Sequence, residues 1–253
     1  MSNLRFKNKI VVITGAGTGM GRASALRLAA EGAALILIGR RAETLEQLAE
    51  EIGSGGGTAM ALTCDITDEA QVKDAFFEIQ RRFGRVNALF ANAGVLGDFK
   101  PLSEAEVVDF STPLATNLTG TFLTIKYCLP LIQQGAILIN TSWTTRSVMP
   151  GTGIYAATKS ALAAIMRTLA VEVGPRSIRV NAVSPGVILT PMAESALPGD
   201  VARRLASHSL LLRNGVPDDL AGTVAWLLSE DAAYVTGQEI VVDGGFTIGG
   251  LRA

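Results

Sequence analysis

The alternation of short β-branched runs with longer amphipathic segments is the feature that most constrains the fold of this chain. The first run, KIVVIT at positions 9–14, is largely apolar, and an amphipathic segment follows it at 19–31. Strands that are apolar on both faces are typical of parallel sheets covered by helices on both sides. Further strands are predicted at 34–38, 58–63, 88–91, 136–140, 180–183 and 239–242, and further helices through Leu45, Leu48 and Ile52 and at 68–83, 104–131 and 155–174. The predicted fold class is α/β: a doubly wound, Rossmann-type parallel β-sheet with helices on both faces.

Length and composition favour one domain and exclude several classes of function. The 253 residues contain no internal repeat and no linker, so a single domain over 1–253 is expected. The 22 basic and 23 acidic side chains nearly cancel, which gives no electrostatic signature of nucleic-acid binding. The longest apolar runs are strand-sized and the N-terminus is polar, so we expect no membrane segment, no signal peptide and a cytoplasmic location.

Cysteine and histidine are too few for two large classes of catalytic site. Cys64 and Cys128 fall in apolar runs and are expected to be reduced and packed in the core. His208 is the single histidine of the sequence, and it cannot by itself make a metal site or a Ser-His-Asp triad. We therefore expect no metal.

A glycine-rich loop joins the first predicted strand to the first predicted helix. It has the sequence TGAGTGMG at positions 14–21. Glycines let the backbone turn tightly and approach a pyrophosphate, and the following helix turns unpaired N–H groups toward the phosphates. The spacing Gly-x-x-x-Gly-x-Gly differs from the common Gly-x-Gly-x-x-Gly, and an ordinary tight turn is the alternative. The position between strand and helix favours a dinucleotide-binding loop.

A phenol and an ammonium group are four residues apart in a predicted helix. Tyr155 and Lys159 share one helix face, so both can enter one site. A cation beside a tyrosine favours the phenolate and makes the phenol a better proton-transfer group. Taken alone, the spacing fits an exposed surface pair equally well.

Together these motifs resemble the short-chain dehydrogenase/reductase family, in its single-domain branch. The shared motifs follow in order along nearly the whole chain: Thr-Gly-x-x-x-Gly-x-Gly at 14–21, Asn-Ala-Gly at 92–94, Asn117, Ser142 thirteen positions before Tyr155, Pro-Gly at 185–186 followed by Thr190, and Val-Asp-Gly-Gly at 242–245. The resemblance implies a nicotinamide-dependent oxidoreductase.

The resemblance also implies the roles of four catalytic residues. Tyr155 is expected to be the general acid in reduction and the general base in oxidation. Ser142 is expected to hydrogen-bond the substrate oxygen and to stabilise its developing charge. Lys159 would lower the pKa of Tyr155 and hold the nicotinamide ribose, while Asn117 would position a water molecule that relays the proton to solvent.

A set of cofactor contacts follows from the same resemblance. Asp65 and Ile66 would contact the adenine, while the Ile188 backbone and the Thr190 hydroxyl would hold the nicotinamide amide. The full expected set is Gly15, Thr18, Gly19, Met20, Gly21, Arg40, Arg41, Asp65, Ile66, Asn92, Ala93, Gly94, Tyr155, Lys159, Ile188 and Thr190.

The end of the second predicted strand favours NADP(H) over NAD(H). NAD-selective relatives carry an aspartate there, which binds the ribose hydroxyls and repels a 2′-phosphate. Gly39 stands in that place, and Arg40 follows it, where a guanidinium can pair with the phosphate. Arg41 is either a second contact or a solvated residue, and Thr18 is neutral where some NADP-linked relatives carry a basic residue. NADP(H) is the expected cofactor and NAD(H) the alternative.

The expected substrate is a small, largely apolar carbonyl compound or alcohol. Residues 187–214 are rich in apolar side chains and are expected to form a lid over it. Two departures from the family pattern bear on the shape of the pocket. Ala91 replaces the first Asn of Asn-Asn-Ala-Gly, and Thr145 stands where the family often has Gly, shortly after the bulky Trp143.

The leading hypothesis is an oxidoreductase that interconverts a ketone or aldehyde and an alcohol. A 3-oxoacyl thioester (acyl-carrier-protein) reductase is the nearest rival. It would need a basic surface to bind an acidic carrier protein, and the sequence shows no Lys or Arg cluster near the lid. A non-catalytic cofactor-binding regulator should have lost a catalytic group, yet all four are present.

The resemblance further implies a homotetramer. Its interfaces would be formed by the long helices, including the alanine-rich face of 155–174, and by the strand at 239–242 with the tail after it. Packing in the core of one subunit is the alternative role of these alanines, which are Ala156, Ala157, Ala161, Ala163 and Ala164.

Overall fold

The computed structural model of the protein describes residues 4–249 and confirms the predicted fold class. Its strands are β1 Ile10–Thr14, β2 Ala34–Gly39, β3 Thr58–Thr63, β4 Ala88–Ala91, β5 Gly135–Asn140, β6 Ile178–Pro185 and β7 Glu239–Val242. They form one parallel sheet in the order β3-β2-β1-β4-β5-β6-β7. Each predicted strand is present, and the largest error in its bounds is at β6, which extends beyond 180–183 at both ends.

Helices cover both faces of the sheet. The α-helices of the described chain are α1 Gly19–Ala30, α2 Ala42–Ser54, α3 Glu69–Phe83, α4 Val107–Pro113, α5 Gly120–Cys128, α6 Gly153–Val173, α7 Pro191–Ala196, α8 Gly199–His208 and α9 Pro217–Leu228. The predicted lid at 187–214 contains α7 and α8. The sequence analysis did not name α9, which packs against α1.

Alternating side chains give each face of the sheet its own hydrophobic core. Val12 of β1 packs on one face with residues of α3, α5 and α6, among them Met166. Its neighbour Val11 packs on the other face with residues of α1, α2 and α9, among them Leu28. The two-residue period of a strand therefore explains why these strands are apolar throughout.

The strand order reverses at β1, in the middle of the sheet. β1 pairs with β2 on one side and with β4 on the other. Open α/β sheets bind ligands outside the carboxyl ends of the strands at such a reversal. The glycine-rich loop follows β1 directly and therefore lies at this point.

The single helix predicted at 104–131 is divided in the structure. It begins at Val107, because Glu106 and Asp109 form a capping box at the start of α4. A π-helical segment, Leu114–Thr119, separates α4 from α5 and contains Asn117. Pro113 contributes no backbone N–H at the junction, and a wider turn of this kind is frequent at functional sites.

The expectation that all apolar runs are strand-sized is wrong for one helical segment. Gly153–Arg176 is long and apolar enough to cross a membrane by length and composition, and 44% of its most apolar window is buried within the protein. The core helix of a soluble protein passes the same test, and α6 contributes Met166 and Leu162 to the core.

Candidate active site

The glycine-rich loop after β1 is shaped by glycine at three positions. Gly15 and Gly19 have φ angles of +65° and +53°, which glycine adopts without steric cost. A Cβ on Gly21 would lie 2.2 Å from the carbonyl oxygen of Gly15, so α1 approaches the loop more closely than any side chain allows. The loop and the start of α1 form a cradle that a Cβ would fill, which fits a dinucleotide phosphate.

Asn92, just after β4, holds this loop. Its Nδ2 donates to the carbonyl oxygens of Thr14 at 3.0 Å and Gly15 at 3.2 Å. The Thr14 hydroxyl in turn accepts from the backbone N–H groups of Asn92 and Ala93, both at 3.1 Å. Asn140, at the end of β5, donates from Nδ2 to Asn92 Oδ1 at 2.9 Å.

Asn140 is a site residue that the sequence analysis missed. Its own Oδ1 is buried and has no hydrogen-bond partner within residues 4–249, and the residue lines the cleft beside the glycine loop. The run Asn140-Thr141-Ser142, polar directly after an apolar strand, is the signal that could have identified it.

A cleft of about 520 Å³ at the carboxyl ends of the strands contains most of the predicted cofactor contacts. Two of the predicted contacts do not line the cleft: Gly21 lies behind the loop, and Ile188 lines an adjacent smaller pocket. The residues of the predicted set that line the cleft are Gly15, Thr18, Gly19, Met20, Arg40, Arg41, Asp65, Ile66, Asn92, Ala93, Gly94, Tyr155, Lys159 and Thr190. The glycine cradle and the basic end of the cleft, with Arg40 and Arg41, fit an anionic dinucleotide.

The predicted adenine and nicotinamide contacts also have structural roles. Asp65 Oδ1 accepts from the backbone N–H and the hydroxyl of Thr67, at 2.9 and 2.8 Å, which orders the turn after β3. The Thr190 hydroxyl accepts from the N–H of Ala193 at 3.2 Å and caps α7, so its own hydrogen is left to donate.

Ser142 and Tyr155 meet where the cleft joins the smaller pocket. Ser142 is buried, and its Oγ accepts from the backbone N–H of Thr144 at 3.2 Å. Tyr155 is half-buried, and desolvation by the protein around it raises its pKa to about 12, although a hydrogen bond with Ser142 acts in the opposite direction. The direction is opposite to the expected lowering, because desolvation is the largest effect on the phenol.

Lys159 is buried one helical turn beyond Tyr155. Its Nζ donates to the carbonyl oxygen of Asn140 at 2.8 Å and lies 5.7 Å from the centre of the Tyr155 ring. Burial lowers the pKa of Lys159 to about 8, because the interior disfavours the charged ammonium. An anionic ligand in the cleft would stabilise this ammonium.

Asn117 is held in the π-helical segment by both of its amide atoms. Its Oδ1 accepts from the N–H of Val95 at 2.8 Å, while Nδ2 donates to the Val95 carbonyl at 2.9 Å and to the Thr158 hydroxyl at 3.1 Å. A Cβ on Gly94 would lie 3.0 Å from Asn117 Oδ1 and 3.4 Å from Lys159 Nζ. The Asn-Ala-Gly motif therefore gives these two side chains room.

A smaller pocket of about 110 Å³ adjoins Ser142 and Tyr155. Its lining residues are uncharged, and the lid contributes Met192, Leu197 and Leu205. Trp143 and Met149 line it as well, and the Trp143 ring packs edge-on against Phe246 with centroids 4.9 Å apart. His208 lies near Phe246 at 6.4 Å, with Nδ1 2.8 Å from the Arg204 carbonyl oxygen.

Residues 4–249 contain no group of three or more His, Cys, Asp and Glu side chains that could hold a metal ion. Cys64 and Cys128 are buried free thiols, and burial raises the pKa of each.

Comparison with known proteins gives matches over nearly the whole chain. A family model described as enoyl-(acyl carrier protein) reductase matches residues 15–247. Levodione reductase of Leifsonia aquatica is 37% identical over 95% of both chains, and a crystal structure of levodione reductase superposes with a TM-score of 0.93, covering 96% of this chain and 99% of the other at 33% identity.

Two further relatives also match over nearly the whole chain. Glucose 1-dehydrogenase of Gluconobacter oxydans is 37% identical over 97% of this chain and 94% of its own. The structure of 7α-hydroxysteroid dehydrogenase complexed with NADH and 7-oxo glycochenodeoxycholic acid has a TM-score of 0.92 and 32% identity, and covers 96% of each chain.

The lowered pKa of Lys159 predicts a pH-dependent affinity for a reduced nicotinamide cofactor. The anionic cofactor favours the ammonium form, so its affinity should fall as the pH rises through about 8, the pKa of Lys159 without ligand. Fluorescence titrations of NADPH at a series of pH values on both sides of this pKa measure the effect. Lys159→Met should bind more weakly and without this dependence, and an unchanged pH dependence in that variant would contradict the assignment.

Proposed function

The chain belongs to the short-chain dehydrogenase/reductase family, and we propose that it is an NADP(H)-dependent member that uses Tyr155 as its acid and base. Relatives in this family interconvert alcohols and ketones with a nicotinamide cofactor. The observation that carries the proposal is the group of Ser142, Tyr155 and Lys159 between the 520 Å³ cleft and the small apolar pocket.

The residues of the site would perform the proton transfer, while a bound nicotinamide supplies or accepts the hydride. With a pKa of about 12, Tyr155 is protonated at neutral pH and can donate its proton to a carbonyl oxygen. Ser142 accepts from Thr144, so its own hydrogen remains for the substrate oxygen or Tyr155. The Lys159 ammonium would then stabilise the phenolate that is left.

Tyr155→Phe should leave NADPH affinity unchanged and lower kcat about 10²–10⁴-fold, because it removes only the proton-transfer oxygen. Ser142→Ala should lower kcat about ten- to a thousandfold, through the loss of one hydrogen bond to the developing oxyanion. Both are measured by NADPH absorbance with a panel of cyclic, branched and aryl ketones. Wild-type kcat in Tyr155→Phe would refute the mechanism.

The proposed preference for NADP(H) rests on charge at the end of β2. Arg40 and Arg41 are exposed and line the cleft, and Arg41 Nη2 donates to the Thr18 hydroxyl at 3.2 Å. A Cβ on Gly39 would meet the Leu45 side chain at an ordinary 3.5 Å, so a side chain fits there. The backbone therefore does not exclude an acidic side chain at position 39.

The double substitution Gly39→Asp with Arg40→Ala should shift kcat/KM toward NADH, because it adds a charge that repels a 2′-phosphate and removes one that binds it. The ratio of kcat/KM for NADPH and NADH is the measurement. Arg85→Ala, which removes an exposed arginine outside the cleft lining, is the matched control and should leave the ratio unchanged. A wild-type enzyme at least as efficient with NADH would contradict the preference.

Two observations favour a second candidate, a reductase of 3-oxoacyl thioesters on an acyl carrier protein. The sequence analysis found no Lys or Arg cluster near the lid, but α8 carries the exposed pair Arg203 and Arg204. A relative described as 3-oxoacyl-[acyl-carrier-protein] reductase, from Thermotoga maritima, is also 34% identical over 97% of this chain. An assay with carrier-bound and free ketones separates the candidates: the uncharged pocket favours small apolar ketones, and faster turnover of the carrier thioester would favour the second.

We also propose a homotetramer. Phe110 of α4 and Phe122 of α5 are 46% and 48% exposed in the single chain, as expected for side chains that pack against another subunit. Of the predicted interface alanines, Ala163 is buried within its own subunit, while Ala157 and Ala164 are exposed. Residues 250–253 of the predicted C-terminal interface lie outside the described residues.

Light scattering at micromolar concentration should give about four times the subunit mass of 26.4 kDa. A mass equal to that of one subunit would contradict the assembly.

A further inference from the structure

The turn that carries Ser142 is tied to the first residue of β7. The hydroxyls of Thr141 and Thr145, on either side of Ser142, each lie 2.9 Å from Glu239 Oε1. Arg146 Nη2 donates to the Glu239 carbonyl oxygen at 3.2 Å, and its Nε lies 3.6 Å from Oε2. One residue of the edge strand therefore contacts three side chains of this turn.

The Glu239 carboxylate is well suited to hold the turn. Its side chain is only 10% exposed, and a carboxylate so far removed from water needs hydrogen-bond donors. Each threonine hydroxyl has one hydrogen and a backbone alternative, Val183 O for Thr141 at 3.0 Å and Ser142 O for Thr145 at 2.9 Å. An ionised oxygen is the stronger acceptor, so both hydroxyls are drawn toward Glu239.

This arrangement accounts for a departure noted in the sequence. Thr145 stands where the family often has glycine, and here its hydroxyl links the Ser142 turn to the sheet. Glu239 lines neither the cleft nor the small pocket, so it acts on the reaction only through the turn.

We propose that Glu239 is a positioning residue of the active site, which fixes Ser142 through Thr141, Thr145 and Arg146. The proposal rests on the function proposed above, in which Ser142 hydrogen-bonds the substrate oxygen. A displacement of about 1 Å in such a group can cost about a hundredfold in rate, so a turn that is free to move lowers kcat.

The first test compares two substitutions. Glu239→Ala should lower kcat by about ten- to a hundredfold with KM for NADPH unchanged. Glu239→Gln should retain most of the wild-type kcat, because its amide oxygen still accepts from both threonine hydroxyls.

Glu31→Ala is the matched control for a general loss of stability. Glu31 is also a 10% exposed carboxylate bound by arginines, Arg5 and Arg27, but it follows the end of α1 remote from the glycine loop. Glu31→Ala should lower the melting temperature and leave kcat unchanged. If Glu239→Ala lowers kcat no more than this control, or if Glu239→Gln is impaired as severely as Glu239→Ala, the positioning role is refuted.

A second test does not depend on turnover. The sequence has two tryptophans, Trp143 and Trp226, so Trp226→Phe leaves Trp143, directly after Ser142, as the single tryptophan for selective excitation. In that background, Glu239→Ala should increase acrylamide quenching of Trp143, and Glu239→Gln should not. Unchanged quenching in Glu239→Ala overturns the proposal, whereas increased quenching in a protein that reduces no ketone supports the positioning and refutes the proposed function alone.

Discussion

The site depends on hydrogen bonds that join the carboxyl ends of three neighbouring strands. Asn92, after β4, binds the backbone that leaves β1 and is itself bound by Asn140 at the end of β5. The glycine loop has little side-chain bulk of its own, so these amide groups determine its path. The Asn140 carbonyl oxygen also accepts from the Lys159 ammonium, which links the glycine loop to α6.

The same burial that organises the site also sets its charges. Lys159 is buried and Tyr155 half-buried, and the protein around them disfavours the charged form of each, so the pKa of the phenol rises and that of the ammonium falls. A neutral phenol is a proton donor at neutral pH, as reduction of a carbonyl requires. A dinucleotide would bring negative charge close to Lys159 and so favour its ammonium form.

The smaller pocket beside Ser142 and Tyr155 differs from the cleft in the side chains that line it. It is uncharged and is lined in part by α7 and α8, while the Trp143 ring packs against Phe246 from the C-terminal segment. Polar residues are concentrated on the catalytic side, and behind it the contacts of Glu239 tie the Ser142 turn to β7. In the proposed mechanism, orientation of the substrate oxygen and selection of the substrate skeleton therefore fall to separate parts of the structure.

The sequence by itself determined the sheet, because short continuous apolar runs that alternate with amphipathic segments, and a strand-to-helix glycine loop, are local patterns with few structural solutions. The sequence also indicated that the predicted site residues lie close to one another, since the carboxyl ends of parallel strands meet at one edge of the sheet. It did not reveal the π-helical segment at Asn117, the role of Asn140 or the contacts of Glu239, because these depend on residues distant in the chain. Tertiary structure alone decided the sign of the Tyr155 pKa shift, since desolvation depends on everything packed around the phenol, and sequence spacing supplies only its nearest charge.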